Sequence, residues 1–107
     1  TPAPPEGLFS EKWDAVLVNA ESLRFPLLLR HWKPGDVFQP LGMGGKHQKL
    51  QDFFTNKKLS RFEKEQAWIL EDDEHRIVWV LGMRLDNRFK PEDDSTKLLK
   101  ITWVKSI

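Results

Sequence analysis

Residues 77–81 read Ile-Val-Trp-Val-Leu, an uninterrupted apolar run on which the prediction of the fold depends. A strand that is apolar on both faces belongs in the interior of a sheet, so this run is predicted to be a central strand. A second apolar run, residues 68–70, precedes it, and the segment between them contains Glu-Asp-Asp-Glu-His. This pattern predicts a β-hairpin whose turn, residues 71–75, we call the acidic tip.

Three further strands are predicted on either side of this hairpin. Residues 13–20 contain a short apolar run suited to a buried strand. Residues 23–29 alternate between apolar and other side chains, but Pro26 places that strand at a sheet edge, because proline has no N–H to donate. Alternation returns in residues 99–103 near the end of the chain.

A helical period replaces the alternation in the middle of the chain. Three apolar residues within 50–54 fall at i, i+3 and i+4, which predicts an amphipathic helix, and Asn56 is a plausible residue to end it. Ser60 and Glu63 have the spacing of a capping box that opens a second short helix. The predicted fold is therefore α+β: a strand-rich, small β-sandwich-like domain with a short helical pair inserted between the strands.

Length and composition restrict the class of protein. A chain of 107 residues corresponds to one domain, and the absence of cysteine excludes disulfides and thiolate metal sites. The three histidines are scattered and have no cysteines to join them, which argues against a structural zinc site. No apolar run approaches the roughly 18 residues of a membrane span. We expect a soluble cytoplasmic domain over residues 11–107. Residues 1–10 are Pro-rich and are expected to be a linker or the end of an excised fragment.

Charge is unevenly distributed along the chain. Residues 24–64 hold nine Lys or Arg and three acids, a net charge of +6, while the remainder has a net charge of −5. Such a polarised domain can present a basic face to an anion. The alternative is that the linear cluster disperses over a surface of mixed charge.

Residues 33–49, KPGDVFQPLGMGGKHQK, combine a Pro-Gly turn with a second glycine cluster and several basic side chains. A nucleotide-binding Walker A loop is disfavoured, because Pro40 stands where its first glycine belongs and His47 where its magnesium-binding hydroxyl belongs. Gly44 and Gly45 could instead let backbone N–H groups approach a phosphate, at the start of a helix predicted near Gln48. The alternative is a surface loop whose glycines only turn the chain.

No enzymatic motif accompanies this loop. The sequence contains no cysteine nucleophile, no Gly-x-Ser-x-Gly elbow and no His-Glu-x-x-His. The acidic tip lacks the spaced oxygen ligands of a calcium loop. We therefore predict no catalytic, cofactor-binding or metal-binding residues. Tryptophans within the apolar patterns are predicted core residues, and Trp32, beside Arg30 and Lys33, is assigned to the core in preference to a stacking role.

The sequence of residues 27–54, LLLRHWKPGDVFQPLGMGGKHQKLQDFF, resembles the C-terminal domain of tRNA(Ile)-lysidine synthases. The resemblance continues through further short segments: Lys57-Lys58-Leu59, Arg61, Ile77-Val78-Trp79-Val80, Gly82, Arg84 and Arg88-Phe89-Lys90. It covers about two thirds of the chain. Three positions depart from the family pattern, Ser60 and Trp68 where proline is common and Phe62 where tryptophan is common; Phe62 is expected to remain an aromatic core residue.

The resemblance implies a tRNA-binding domain that recognises the acceptor stem. It also implies that the parent enzyme uses ATP and magnesium, in a separate N-terminal domain, to adenylate the wobble cytidine of an isoleucine tRNA before lysine attacks. No cofactor is expected in this fragment. Its expected partners are tRNA and the N-terminal catalytic domain of the parent chain. A homodimer is a further candidate, and no membrane association is expected. The alternative is an interaction module that packs on the parent enzyme or a second copy without touching RNA.

The candidate nucleic-acid-binding residues are the basic side chains of the central span and two later arginines. Arg30 and Arg61 are the predicted readers of sequence, because arginine can bind phosphate or guanine through two hydrogen bonds. The full predicted set is Arg30, Lys33, Lys46, His47, Lys49, Lys57, Lys58, Arg61, Arg84 and Arg88.

Overall fold

The computed structural model describes residues 14–104, so the predictions for the linker at residues 1–10 and for Trp13 lie outside the described residues. Within these residues, eight strands and two helices follow one another. They are β1 (Ala15–Asn19), β2 (Leu28–His31), β3 (Val37–Phe38), β4 (Gln48–Lys49), α1 (Leu50–Asn56), α2 (Arg61–Glu65), β5 (Trp68–Glu71), β6 (Ile77–Val80), β7 (Arg84–Leu85) and β8 (Leu98–Thr102). Short 3-10 turns occur at Ala20–Ser22 and Asn87–Phe89. This is the predicted strand-rich α+β domain.

The largest sheet has four strands in the order β2-β5-β6-β7. All four residues of β6 are buried, which confirms the predicted central strand. The predicted hairpin is β5–β6, which pairs Ile69 with Val80 and has a register shift between Leu70 and Glu71. β2 lies at the edge of the sheet, as the proline before it indicated.

The two ends of the described chain meet in a separate antiparallel pair, β1 with β8, in which Ala15 lies opposite Thr102. Val16 and Val18 of β1 face inward and are buried. They belong to a core cluster that includes Trp79 and Phe89, so the terminal strands cover one side of the central sheet.

A second core cluster lies beneath the helices. The predicted stripe of α1 is confirmed, since Leu50, Phe53 and Phe54 are its buried residues. They pack with Phe38 and with Ile69 and Val80 of the sheet, and Trp32 packs against this cluster as predicted. β6 contributes to both clusters, which explains why its sequence is apolar on both faces.

The helix boundaries follow local sequence chemistry with small shifts. The capping box that opens α2 is present: the Ser60 hydroxyl accepts from the Glu63 N–H, and the Glu63 carboxylate accepts from the Ser60 N–H. α1 begins at Leu50, two residues after the predicted start, because Gln48 belongs to β4. It ends at Asn56, but the left-handed conformation occurs at Lys58, whose φ is 59°.

Two expectations are wrong. The strand predicted from residue 23 begins only at Leu28, because Leu23 is buried in the cluster beneath β1 while the next three residues are exposed. Phe62 is not a core residue: it is 70% exposed on the outer face of α2. Among the described residues, no helix is both long and apolar enough to cross a membrane.

Candidate nucleic-acid interface

The glycine loop, residues 39–47, connects the two strands of the β3–β4 hairpin, in which Val37 lies opposite Lys49. Positive φ angles explain its glycines: Gly42 has a φ of 96° and Gly45 a φ of 84°. Residues with a β-carbon rarely adopt positive φ angles, whereas glycine does so readily. A β-carbon would meet no atom closer than 3.9 Å at either position, so conformation and not crowding selects glycine here.

Backbone N–H groups in this loop are available to a ligand. Two turns are closed by hydrogen bonds, from Met43 N to the Pro40 carbonyl and from Lys46 N to the Met43 carbonyl. The N–H groups of Gly44 and Gly45 donate to no acceptor within residues 14–104. Successive free N–H groups in a turn form a concavity that suits an anion.

Exposed basic side chains follow these N–H groups in the sequence and continue past α1. In the described part of the chain, the ammonium groups of four of them have no carboxylate within ion-pair distance: Lys46, Lys49, Lys57 and Lys58. The seven-residue α1 separates the first pair from the second by about 12 Å along its axis. The uncompensated positive charge is therefore spread over a distance comparable to several phosphates of one strand.

Contacts with β7 and with the segment after it fix the glycine loop in place. Asp86 is fully buried, and its carboxylate accepts hydrogen bonds from Gln39 N at 2.9 Å and from the Arg88 guanidinium. The guanidinium of Arg84 donates to the Leu41 carbonyl at 3.1 Å. Both later arginines of the predicted set thus lie beside the loop, although they are distant from it in sequence.

Arg30 is held by two carboxylates. Its Nη1 and Nη2 donate to Asp36, at 3.1 and 3.0 Å, and its Nε donates to Glu71 at 2.6 Å. The hydrogen bonds that Arg30 donates to Asp36 raise the pKa of Arg30. Burial of Asp36 and Glu71 opposes their ionisation, but the hydrogen bonds they accept and the positive charges beside them, above all those of Arg30, together outweigh burial and hold the pKa of each carboxyl below its usual value.

The predicted basic residues therefore divide into two groups. Seven are exposed and able to meet a ligand: Lys33, Lys46, His47, Lys49, Lys57, Lys58 and Arg61. Three arginines, Arg30, Arg84 and Arg88, are half-buried and donate to acceptors of the protein itself. Every guanidinium nitrogen of Arg30 donates a hydrogen bond within the protein. Arg30 therefore has a structural role, in which it links β2 to the following turn and to β5. The predicted role of the whole set in RNA contact stays a prediction.

Two of the five residues of the acidic tip, Glu71 and Asp72, are buried. Asp72 is 1% exposed and pairs with the guanidinium of Arg76, whereas Asp73 and Glu74 are exposed. Burial opposes ionisation of Asp72, but hydrogen bonds from the Arg76 side chain and from the backbone N–H groups of Arg76 and Glu74, together with the charge of Arg76, hold the pKa of that carboxyl below its usual value. Within residues 14–104, no group of three or more His, Asp or Glu side chains is arranged to hold a metal ion.

Two features were missed in the sequence. The first is Asp86, whose position as the N-cap of the 3-10 turn Asn87–Phe89 was a readable local signal. The second is an apolar groove of about 600 Å³ beside α2, with Phe62, Trp68, Met83 and Trp103 in its wall. No local pattern could have indicated it, since its wall comes from distant segments.

Comparison with known proteins agrees with this architecture. Residues 27–103 match the family described as the TilS substrate C-terminal domain. The tRNA(Ile)-lysidine synthase of Parabacteroides distasonis is 45% identical over 87 residues, which are 81% of this chain and 19% of the relative. That of Bacteroides thetaiotaomicron is 34% identical over 95 residues, 89% of this chain and 22% of the relative.

A crystal structure of a TILS C-terminal domain superposes with a TM-score of 0.70 at 26% sequence identity, covering 98% of this chain and 78% of that one. The chain spans about one fifth of the length of the two lysidine synthases. Since the family match extends over residues 27–103, well over half of the sequence, this chain belongs to the TilS substrate C-terminal domain family.

Proposed function

We propose that this domain binds the acceptor stem of a tRNA through its phosphate backbone, as part of a tRNA(Ile)-lysidine synthase. The observation that carries the proposal is the glycine loop. Among residues 14–104, the N–H groups of Gly44 and Gly45 have no acceptor, and the adjacent Lys46 has no carboxylate within ion-pair distance. A backbone phosphate satisfies both features at once, because it accepts hydrogen bonds and carries a negative charge.

Double-stranded RNA is recognised chiefly through phosphates, 2′-hydroxyls and shape, because its deep, narrow major groove excludes side chains. A row of exposed lysines suits this mode, since an ammonium group binds phosphate as a point charge without a fixed direction. The assignment to tRNA rests on relatives named tRNA(Ile)-lysidine synthase, and the assignment to the acceptor stem rests on the family resemblance.

Within the whole enzyme, this domain has a binding role and no chemical one. ATP and magnesium would act in the N-terminal catalytic domain, where lysine is joined to the wobble cytidine. The proposed contacts are made by Lys46, His47 and Lys49 at the hairpin and by Lys57, Lys58 and Arg61 around the end of α1. Arg30 is left out of the direct contacts, because it is half-buried and all three nitrogens of its guanidinium donate to groups of the protein itself.

The proposal is tested by a double substitution, Lys46→Ala with Lys49→Ala, in a titration against isoleucine tRNA. Removing two phosphate contacts should weaken binding and reduce the log–log salt slope by about two. The matched control is Lys97→Ala with Lys100→Ala, two exposed residues around β8, which changes the net charge equally. Equal losses in both variants would reduce the effect to net charge, and no loss in either would refute the proposal.

A second candidate function is packing on the catalytic domain or on a second copy. The apolar groove beside α2 and the exposed ring of Phe62 favour it, because large exposed apolar surfaces often mark interaction sites. Sedimentation of wild-type and Phe62→Ser proteins over a range of concentrations tests the second-copy form. A mass that rises with concentration only in the wild type would support it, and a constant monomer mass would exclude it.

A further inference from the structure

We propose that Asp86 is a positioning residue for RNA binding, which holds Arg88 and the glycine loop in the arrangement that meets the phosphate backbone. The inference rests on the proposed function and extends it to a residue that does not itself touch RNA. A carboxylate next to an anion-binding surface is electrostatically unfavourable, so its presence there calls for a specific role.

Asp86 holds Arg88 through a two-point ion pair. Arg88 Nε donates to Oδ1 at 3.0 Å and Nη2 donates to Oδ2 at 2.9 Å, while the Arg88 N–H donates to Oδ1 at 2.8 Å. Two parallel hydrogen bonds fix the plane of a guanidinium as well as its position. The Arg88 side chain remains about one-third exposed, so its outer edge is accessible to a ligand.

The same carboxylate holds the start of the glycine loop. Oδ2 accepts from Gln39 N, and the backbone of Asp86 forms an isolated bridge with Pro40. Asn87 N donates back to the Gln39 carbonyl at 2.6 Å. The Gln39 side chain in turn lies 3.3 Å from the ring of His47, at the far end of the loop. One buried group therefore holds an arginine and the first residue of the loop, whose own side chain reaches the far end.

Simple electrostatics and positioning predict opposite results when this charge is removed. If Asp86 only adds a negative charge near the RNA, Asp86→Asn should tighten tRNA binding and steepen its salt dependence. If Asp86 positions Arg88 and the loop, the same change should weaken binding although the protein becomes more positive. The log–log salt slope should then shrink by about one, as for the loss of one phosphate contact.

The experiment compares tRNA titrations at several salt concentrations for wild type, Asp86→Asn and Asp93→Asn. Asp93 is an exposed carboxylate, so its substitution makes the same chemical change without these hydrogen bonds. We expect weaker binding and a smaller slope for Asp86→Asn only. Unchanged or tighter binding by a folded Asp86→Asn would overturn the inference.

A second variant, Arg88→Gln, covers the case in which Asp86→Asn does not fold. It should lose about one unit of slope. Where Asp86→Asn does fold, it should also cost less affinity in the Arg88→Gln background than it costs alone, because the two residues act as a unit. Wild-type affinity in Arg88→Gln would overturn the inference. The amide chemical shifts of Gly44 and Gly45 report on the loop in the absence of RNA, and they should move in a folded Asp86→Asn protein. Unmoved shifts would refute the positioning of the loop by Asp86, even if no variant bound tRNA.

Discussion

The glycine loop and the acidic tip both join two antiparallel strands, yet they use their charges differently. In the acidic tip, Glu71 and Asp72 are buried and each is paired with an arginine. In the glycine loop, Lys46 is exposed. Among residues 14–104, neither a carboxylate partner for Lys46 nor an acceptor for the N–H groups of Gly44 and Gly45 is present. Charge at the tip holds strands together, whereas charge at the loop remains available to a partner.

This difference shows why counting charges along a sequence is a poor guide to the electrostatic surface. The net charge of +6 over residues 24–64 includes Arg30, whose charge is neutralised by Asp36 inside the same span and by Glu71 outside it. Lysines around α1 are not neutralised in this way. The surface available to an anion is therefore smaller than the sequence suggests, and it consists mainly of lysines.

The largest expected effect is acid destabilisation through the paired carboxylates, Asp36, Glu71 and Asp72. Each has its pKa lowered in the folded state, so the unfolded chain binds protons more readily and stability rises with pH through this range. The contribution should be complete above the unfolded values of about 4 and be lost as pH falls through the lower folded values. Urea unfolding at pH 7 and pH 3 measures it, and equal midpoints would contradict the assigned ion pairs.

Next in size is Arg76→Ala, which leaves the buried carboxylate of Asp72 without its partner. The cost should be about 3–5 kcal/mol of unfolding free energy at neutral pH, the usual penalty for an uncompensated buried charge. Chemical denaturation measures this loss. The control is Arg24→Ala, whose pair with Glu74 is more than half exposed on both sides and should be worth less than about 1 kcal/mol. Similar costs for the two variants would show that the tip is no more buried than the surface.

On the side of the glycine loop, Gly45→Ala should cost about 1 kcal/mol, because alanine is strained at a φ of 84°. Gly45→Asn should cost less, since asparagine tolerates positive φ better. Thermal unfolding of both variants measures the difference. A neutral alanine substitution would mean that the loop does not keep its turn in solution.

The smallest expected effect is a stabilisation by Lys58→Gly. Lys58 has a φ of 59°, and glycine at this position after a helix should raise stability by about 0.5–1 kcal/mol. The same substitution removes one proposed phosphate contact, so tRNA affinity should fall while stability rises. Lys57→Gly is the control, because its φ of −83° offers no strain to relieve. Unchanged affinity in Lys58→Gly would remove this residue from the proposed interface.

Features set by neighbouring residues were predictable from the sequence. The capping box of Ser60 and Glu63 depends on residues three apart, and the apolar stripe of α1 depends on residues within one turn. The central strand was predictable because residues 77–80 are apolar without interruption and are all buried.

Features set by distant residues were not predictable in this way. Arg30 is separated by 41 residues from Glu71, so its pairing could not be read from the local pattern. Phe62 looked like a core residue by type, but α2 is a short helix with no buried residue. The alternation of apolar residues from residue 23 predicted a strand that starts too early. Leu23 packs beneath β1 and not in the sheet that contains β2.

The most direct test of the central claim, that the lysines of this domain bind tRNA through phosphates, is the salt dependence of the affinity of the domain for isoleucine tRNA. If about five phosphates are neutralised, the logarithm of the association constant should fall with the logarithm of salt concentration with a slope of about −4. A flat response, or no binding at low salt, would contradict the account.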